Sequence, residues 1–149
     1  DLYKDTITLF NRAGKKNYTW YATVLEGVDL NIDKGSNIKT MGADAADAAM
    51  LSIKYTKSGE EISIGEKHYL LPKKWQEVAD KNSALTFADG DDFFAVGNYG
   101  EGTYNDVDYM QDVNNNGFFD YMKQKHDLVF KITNVGFYNL IPHFEIGGA

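Results

Sequence analysis

The sequence predicts a mainly antiparallel β-protein, either a barrel or a sandwich, with one or two short α-helices. Several short runs alternate between apolar and polar side chains, which is the period of a β-strand. Turn signals, most of them with glycine, separate these runs, whereas only two short stretches show helical spacing. The chain has 149 residues, of which 43% are hydrophobic and 14% aromatic. This length and composition predict a single folded domain over residues 1–149.

The clearest alternation lies near the C-terminus, where two apolar runs flank Asn134–Gly136. The first run places three apolar side chains on one face: Leu128, Phe130 and Ile132. The second run places three apolar side chains on one face and two polar ones on the other: Leu140, Phe144 and Ile146, then His143 and Glu145. Because Asn134–Gly136 is typical of a turn, the two runs predict an antiparallel hairpin that turns there.

The first 33 residues predict three short strands. Ile7 and Leu9 share one face of the first strand, and a polar link then leads to a second run around Trp20. Gly27 is expected to mark a bulge or bend, after which alternation continues to residue 32. The first two strands are expected to form a hairpin.

The middle of the chain is less regular. Residues 34–49 are interpreted as an irregular excursion with one helical turn, followed by strands at 50–55, 61–65 and 67–71. Pro72 suits a first helical position, so a helix over Pro72–Ala79, docked through Trp75, is predicted. Two strand fragments flank Asp89–Gly90, and a second short helix begins at Phe118. In total we expect eight or nine strands and two helices.

Composition excludes several functional classes. The chain has no cysteine, which rules out disulfides, thiol catalysis and cysteine-based zinc sites. No apolar run approaches the roughly 18 residues of a membrane-spanning helix. The net charge of −7 argues against general binding of DNA or of anionic membranes.

Charge is concentrated in the segment 88–120, which carries eight acidic residues over 33 positions and no Lys or Arg. We predict that this segment is an exposed flap that meets a neighbouring subunit or lines a channel. The interaction candidates are Asp89, Asp91, Asp92, Glu101, Asp106 and Asp108. The alternatives are a solvated loop kept open by self-repulsion, and a cation site.

Within this segment, residues 112–120 resemble a calcium loop of the D-x-[DN]-x-[DN]-G type. The four candidate ligands are Asp112, Asn114, Asn116 and Asp120. The twelfth position, however, is Lys123, where such a loop requires a bidentate Glu. Asn-Asn-Asn-Gly is also a strong turn sequence by itself. A plain turn is therefore favoured over a metal site, and no metal or cofactor is predicted.

Catalytic constellations are weak. His68, His126 and His143 lack metal-ligand spacing, and neither a nucleophile elbow nor a phosphate-binding glycine loop is present. A carboxylate-based hydrolase using Asp91 or Asp92 is the enzymatic alternative. The prediction is that the chain is not an enzyme.

Several segments resemble a known group of phage proteins. LYKDTITLFNR and TWYATVLEGVDLN resemble the opening of small structural proteins encoded by the head–tail module of tailed phages and prophages. LPKKWQE, LTFADGDDFFAVG, FFDYM and NLIPHFEIGG extend the resemblance to an uncharacterised phage family along nearly the whole chain. The chain departs from that family at NDVDYMQDVNNNG, where relatives have a shorter acidic stretch, which argues against a family-wide metal role for residues 114–116.

The resemblance implies a minor structural protein of the head–tail connector type, such as an adaptor, a stopper or a tail-completion protein. Such a β-barrel assembles as a homo-oligomeric ring between portal and tail. Its implied partners are neighbouring subunits and other phage structural proteins, with neither a membrane nor sequence-specific nucleic acid. The implied location is the virion, after assembly in the host bacterial cytoplasm. A ring lumen that passes DNA should be negative or neutral, so that phosphates slide through.

Overall fold

The computed structural model describes residues 2–33, 48–110 and 115–149. Six strands occupy the first part of the chain: β1 (Asp5–Ala13), β2 (Thr19–Asp33), β3 (Ala48–Lys54), β4 (Thr56–Ser58), β5 (Glu61–Ile64) and β6 (Lys67–Tyr69). Five follow: β7 (Ala84–Leu85), β8 (Phe93–Val96), β9 (Gly102–Asn105), β10 (Val129–Tyr138) and β11 (His143–Gly148). The α-helices are α1 (Pro72–Glu77) and α2 (Phe118–Lys125), and short 3-10 helices cover Lys81–Ser83 and Asp106–Tyr109.

Six strands close into an antiparallel barrel. The order is β1-β8-β10-β11-β3-β2, and the pairing of β2 with β1 completes the circle. One edge of the long strand β2 pairs with β1. Its other edge pairs with β9 along its first residues and with β3 along its last residues. The prediction of a mainly antiparallel β-fold with two short helices is confirmed, and the closed order identifies it as a barrel.

The barrel interior is filled by side chains. Its buried members include Leu9, Phe94, Phe130, Phe144 and Ile146. The face assignments made from alternation are confirmed here, since Ile7 and Leu9 point inward together, as do Phe130 and Ile132. A filled interior of this kind is a packed core.

The outer surface of β1, β8 and β10 is also covered. Helix α2 lies against it through Phe118 and Met122, beside the buried Phe10, Trp20 and Phe93. The rings of Phe10 and Phe93 stack with their centroids 4.6 Å apart. Because both faces of this wall are covered, all the residues from Ile7 to Asn11 are buried.

A second sheet, in the order β4-β5-β6-β7, leads from the barrel to α1. The pairing of β5 with β6 is antiparallel, whereas β6 and β7 pair in parallel. Helix α1 begins with Pro72, and its Trp75 is fully buried, with its indole N–H donating to the Ala84 carbonyl over 3.3 Å. The predicted docking of this helix through Trp75 is confirmed.

The position of the C-terminal turn was predicted wrongly. Strand β10 continues through Asn134–Gly136, and the chain turns at residues 139–142 instead. Asn134 lies at a β-bulge, where the register shifts by one residue against β11. Its side chain occupies the space that a Cβ at Gly147 would take. Leu140 was expected on the core face, but it lies in the turn and is exposed.

Two smaller differences concern the number of strands and the residues 34–49. The described residues contain eleven strands rather than eight or nine. Residues 48–49 belong to β3, while the rest of the predicted excursion, residues 34–47, lies outside the described residues. The two predicted strand fragments that flank Asp89–Gly90 correspond to β7 and β8, and β7 pairs with β6 whereas β8 pairs with β1 and β10.

The core assignment is tested by truncating Phe130 to Ala. Phe130 is buried among the barrel side chains, so the variant loses buried surface and leaves a cavity. The free energy of unfolding should fall by about 3–5 kcal/mol in denaturant titration. The matched control is Leu71→Ala, since Leu71 is largely exposed, and it should change stability by less than about 0.5 kcal/mol. Similar losses in the two variants would contradict the assignment.

Candidate functional site

The acidic segment is not a single exposed flap. It contains β8, β9 and the start of α2, so its carboxylates are distributed over different parts of the barrel. Asp92 is 1% exposed and Asp106 is 5% exposed. These two residues are therefore withdrawn from the predicted interaction face, because buried carboxylates cannot reach a partner. The wrong prediction arose from counting charges without knowing which of them are buried.

The buried carboxyl group of Asp92, just before β8, accepts three hydrogen bonds. Its Oδ1 accepts a hydrogen bond from the Arg12 backbone N–H over 2.8 Å. Its Oδ2 accepts from Asn11 Nδ2 over 2.8 Å and from the Ala88 N–H over 2.9 Å. The pKa of Asp92 is raised to about 7, because desolvation by burial outweighs the lowering effect of the three hydrogen bonds, and the nearby Asp91 also raises it. The group joins β1 to the segment before β8.

Asp106 connects β2 to the start of α2 through two hydrogen bonds. Its Oδ1 accepts from the indole N–H of Trp20 over 2.7 Å and from the Phe118 backbone N–H, at the start of α2, over 2.9 Å. A Cβ at Gly117 would lie 2.7 Å from this carboxyl group, and Gly117 has φ +143°. Glycine is therefore required where the chain passes Asp106 and enters the helix.

The other interaction candidates differ in their surroundings. Asp91 forms a salt bridge with Arg12 over 2.8 Å. Glu101 lies 3.5 Å from Lys67 and accepts the Val24 N–H over 3.2 Å. Asp89 and Asp108 are exposed. The hydrolase alternative loses support from this placement, because Asp91 is paired with a cation and Asp92 is enclosed by three N–H donors.

Glu101 also borders a groove of about 710 Å³ along the second edge of β2, between β9 and β3. In this groove Lys67 Nζ donates to Thr23 Oγ1 over 2.8 Å, so its cation is held on the groove wall. The groove is lined by both apolar and polar residues, and its polar side chains Thr23, Lys67 and Glu101 contact one another or the backbone.

The calcium-loop candidate is described only in part. Asp112 and Asn114 lie outside the described residues. Of the other two candidates, Asp120 accepts the Asn116 backbone N–H over 3.1 Å at the start of α2. Among the described residues, no three His, Cys, Asp or Glu side chains are grouped so that they could hold a metal ion.

The most distinctive surface is the end of the β10–β11 hairpin, which the sequence reasoning missed. Five of the ten large hydrophobic residues that are exposed in the described chain fall within residues 135–141. We call this set the hairpin tip: Val135, Phe137, Tyr138, Leu140 and Ile141. Leu140 is 98% exposed and Ile141 is 73% exposed. Asn139 and Pro142, which flank these two residues, are the turn signal that locates the tip in the sequence.

The hairpin tip is held in place by its neighbours. The hydroxyl group of Tyr55, at the end of β3, donates to the Tyr138 carbonyl over 2.7 Å, and its ring stacks on Phe137 with centroids 5.0 Å apart. The Tyr138 ring stacks on His143 across the hairpin at 4.9 Å. The exposed turn is therefore braced on two sides.

His143 braces the turn through both of its ring nitrogens. Nε2 lies 2.9 Å from Glu145 Oε2, and Nδ1 lies 2.6 Å from the Ile141 carbonyl oxygen. Both partners are acceptors, so both contacts are hydrogen bonds only when the imidazole is protonated. The hydrogen bond to Glu145, and secondly that to Ile141, raise the pKa of His143 above its ordinary value. The expectation that His143 and Glu145 share a strand face is confirmed.

The fold and these surfaces define a small antiparallel β-barrel protein with an exposed apolar hairpin. The chain belongs to the family of unknown function DUF6751, whose model matches residues 2–149. No curated protein and no solved structure matches the chain. None of the helices in the described ranges is long and apolar enough to cross a membrane.

The role of Asp92 is tested with Asp92→Asn. Both carboxyl oxygens face N–H donors, so the new amide must turn an NH₂ group toward at least one of them. We expect a loss of about 1–3 kcal/mol in the free energy of unfolding.

The pH dependence of that loss follows from the raised pKa of Asp92. Between pH about 4 and about 7 the folded state binds the Asp92 proton more tightly than the unfolded state. The contribution of Asp92 to stability is therefore fully present below pH about 4 and is lost as the pH rises to about 7. The difference in unfolding free energy between wild type and variant should narrow between pH about 4 and about 7, and other titrating groups cancel in it. A difference that widens with pH would contradict the raised pKa.

The contacts of His143 with Glu145 and with the Ile141 carbonyl are tested by titrating His143 with NMR. Its pKa should lie above the ordinary value of about 6.5 and should fall in Glu145→Gln, which removes the charged acceptor. The stabilisation from protonated His143 is fully present below about pH 6.5 and is lost as the pH rises through the folded-state pKa. Glu77→Gln, which removes a carboxylate from α1, is the matched control and should leave the titration unchanged. An unchanged titration in Glu145→Gln would show that the observed contact does not hold in solution.

Proposed function

We propose that this chain is a structural subunit of tailed-phage particles, a head–tail connector of the adaptor, stopper or tail-completion type. It acts by contacting neighbouring proteins rather than by catalysis. The observation that carries the proposal is the hairpin tip, an apolar surface that is exposed and yet braced. The phage resemblance of the sequence supplies the class of assembly, and the family match leaves that class open.

The hairpin tip suits a protein-binding role for two physical reasons. Contiguous exposed apolar surface is uncommon on monomeric soluble proteins and usually marks an interaction site. In addition, the brace from Tyr55 and His143 holds the turn in one conformation before a partner arrives. A surface that is ordered in advance loses less conformational entropy on binding.

The acidic surface supports a second part of the proposal. With a net charge of −7, most contacts between copies are repulsive at long range. A negative wall is compatible with DNA passing through a ring lumen without sequence-specific binding. The proposed partners are other copies of the chain and adjoining phage structural proteins, and the proposed location is the virion, after assembly in the host cytoplasm.

A gene deletion in a phage or prophage that encodes this chain tests the proposal. Without the chain, filled heads and separate tails should accumulate, and electron microscopy of the particles should show them unjoined. Wild-type protein supplied in trans should restore joined particles, whereas Leu140→Ser/Ile141→Ser should not. The double variant should keep its melting temperature, because both side chains are exposed.

A matched control is Lys15→Ser/Lys16→Ser, which changes two adjacent exposed residues in the turn between β1 and β2. This variant should restore joining. Normal infectious particles from the deletion strain, or a gene flanked by metabolic genes rather than portal, capsid and tail genes, would overturn the proposal.

A further inference from the structure

A second apolar surface lies on the small sheet beside α1. A cavity of about 290 Å³ opens there, bordered by β5, β6, β7 and the end of α1. We call it the apolar pocket, and its apolar lining is Ile62, Tyr69, Leu70, Val78 and Ala84. Leu71, the next residue along the chain, is largely exposed beside it.

We propose that the hairpin tip of one copy docks into the apolar pocket of a second copy, an inference that rests on the proposed function. Both surfaces belong to the same chain but are different patches. Their union is therefore a heterologous contact, which generates rings when the rotation between copies closes.

Leu140 and Ile141 are the most exposed side chains of the hairpin tip, at 98% and 73%. The apolar pocket is open at the surface and has a volume of about 290 Å³. Docking of these two side chains against its apolar lining would remove apolar surface of both copies from water, which favours association.

The charges of the two surfaces are also compatible. The stretch 128–144, which includes the hairpin tip, contains no Asp or Glu, although the chain as a whole is acidic. Glu60 and Glu61 border the apolar pocket and are exposed. A tip without carboxylates approaches this rim without the repulsion that other faces of an acidic copy would meet.

Cysteine cross-linking tests the contact directly, because the chain contains no cysteine of its own. Leu140→Cys and Val78→Cys proteins are mixed under mild oxidation, and the disulfide-linked peptides are identified by mass spectrometry. Since the two cysteines are on separate copies, their disulfide reports contact between copies. It requires Cα atoms about 4.4–6.8 Å apart.

The expected result is that Leu140→Cys links to Val78→Cys about tenfold faster than to Lys15→Cys, because docking raises the local concentration of the two thiols. Lys15 is exposed in the turn between β1 and β2 and serves as the matched control position. Equal rates for the two mixtures would overturn the inference.

Val78→Asp separates this inference from the proposed function. It places a carboxylate in the apolar pocket and leaves the hairpin tip intact, and its melting curve reports whether it folds. Loss of particle joining in folded Val78→Asp, together with the pair-specific cross-link, supports the inference. Joining that is lost in Leu140→Ser/Ile141→Ser but kept in Val78→Asp would mean that the tip meets a different protein. The inference would then fail while the proposed function stands.

Discussion

The wall formed by β1, β8 and β10 has to be covered on both of its faces, and much of the remaining structure follows from this constraint. Leu9 and Phe10 are neighbours in sequence, yet one packs in the barrel interior and the other in the outer aromatic cluster. Strands buried on both faces need a second layer, and α2 supplies it. The helix is placed by Asp106, which ties its first residue to Trp20. Gly117 is the residue that leaves room for this carboxylate.

The same constraint explains why two acids of the segment 88–120, Asp92 and Asp106, are buried although the charge pattern predicted an exposed flap. A buried carboxylate is tolerated only where hydrogen-bond donors replace the water it loses. Asp92 has three such donors and Asp106 has two. A sequence shows the number of acids in a segment, but four of the five donors that surround them come from β1, β2 and α2, and only the Ala88 N–H is close in sequence to the acid it contacts. The distribution between buried and exposed acids therefore depends on tertiary packing that no local pattern contains.

Local patterns predicted the parts of the fold that local physics decides. Alternation located most strands and their inward faces, and Pro72 with Trp75 located α1 and its buried side. The C-terminal turn was misplaced because Asn134–Gly136 has turn propensity, whereas its pairing with β11 holds it extended. The parallel pairing of β6 with β7 depends on the intervening helix and could not be predicted from either strand. The hairpin tip was not predicted either, because Leu140 follows the alternation of a strand in the sequence but lies in the turn between β10 and β11.

The exposure of the hairpin tip supports a binding role more strongly because side chains of Tyr55 and His143 contact the backbone of the turn. Tyr55 donates a hydrogen bond to the Tyr138 carbonyl and protonated His143 donates one to the Ile141 carbonyl, so the backbone of the turn is held in place while Leu140 and Ile141 are exposed. Leaving Leu140 and Ile141 in water gives up about 1.5–3 kcal/mol of burial for each side chain. The isolated chain recovers none of this free energy, whereas an apolar pocket on a neighbouring molecule would recover much of it. Because acidic copies repel one another elsewhere, a contact through the hairpin tip, which carries no Asp or Glu, would also determine how two copies are oriented. Bracing, exposure and charge thus all support the proposal that this hairpin contacts another protein surface.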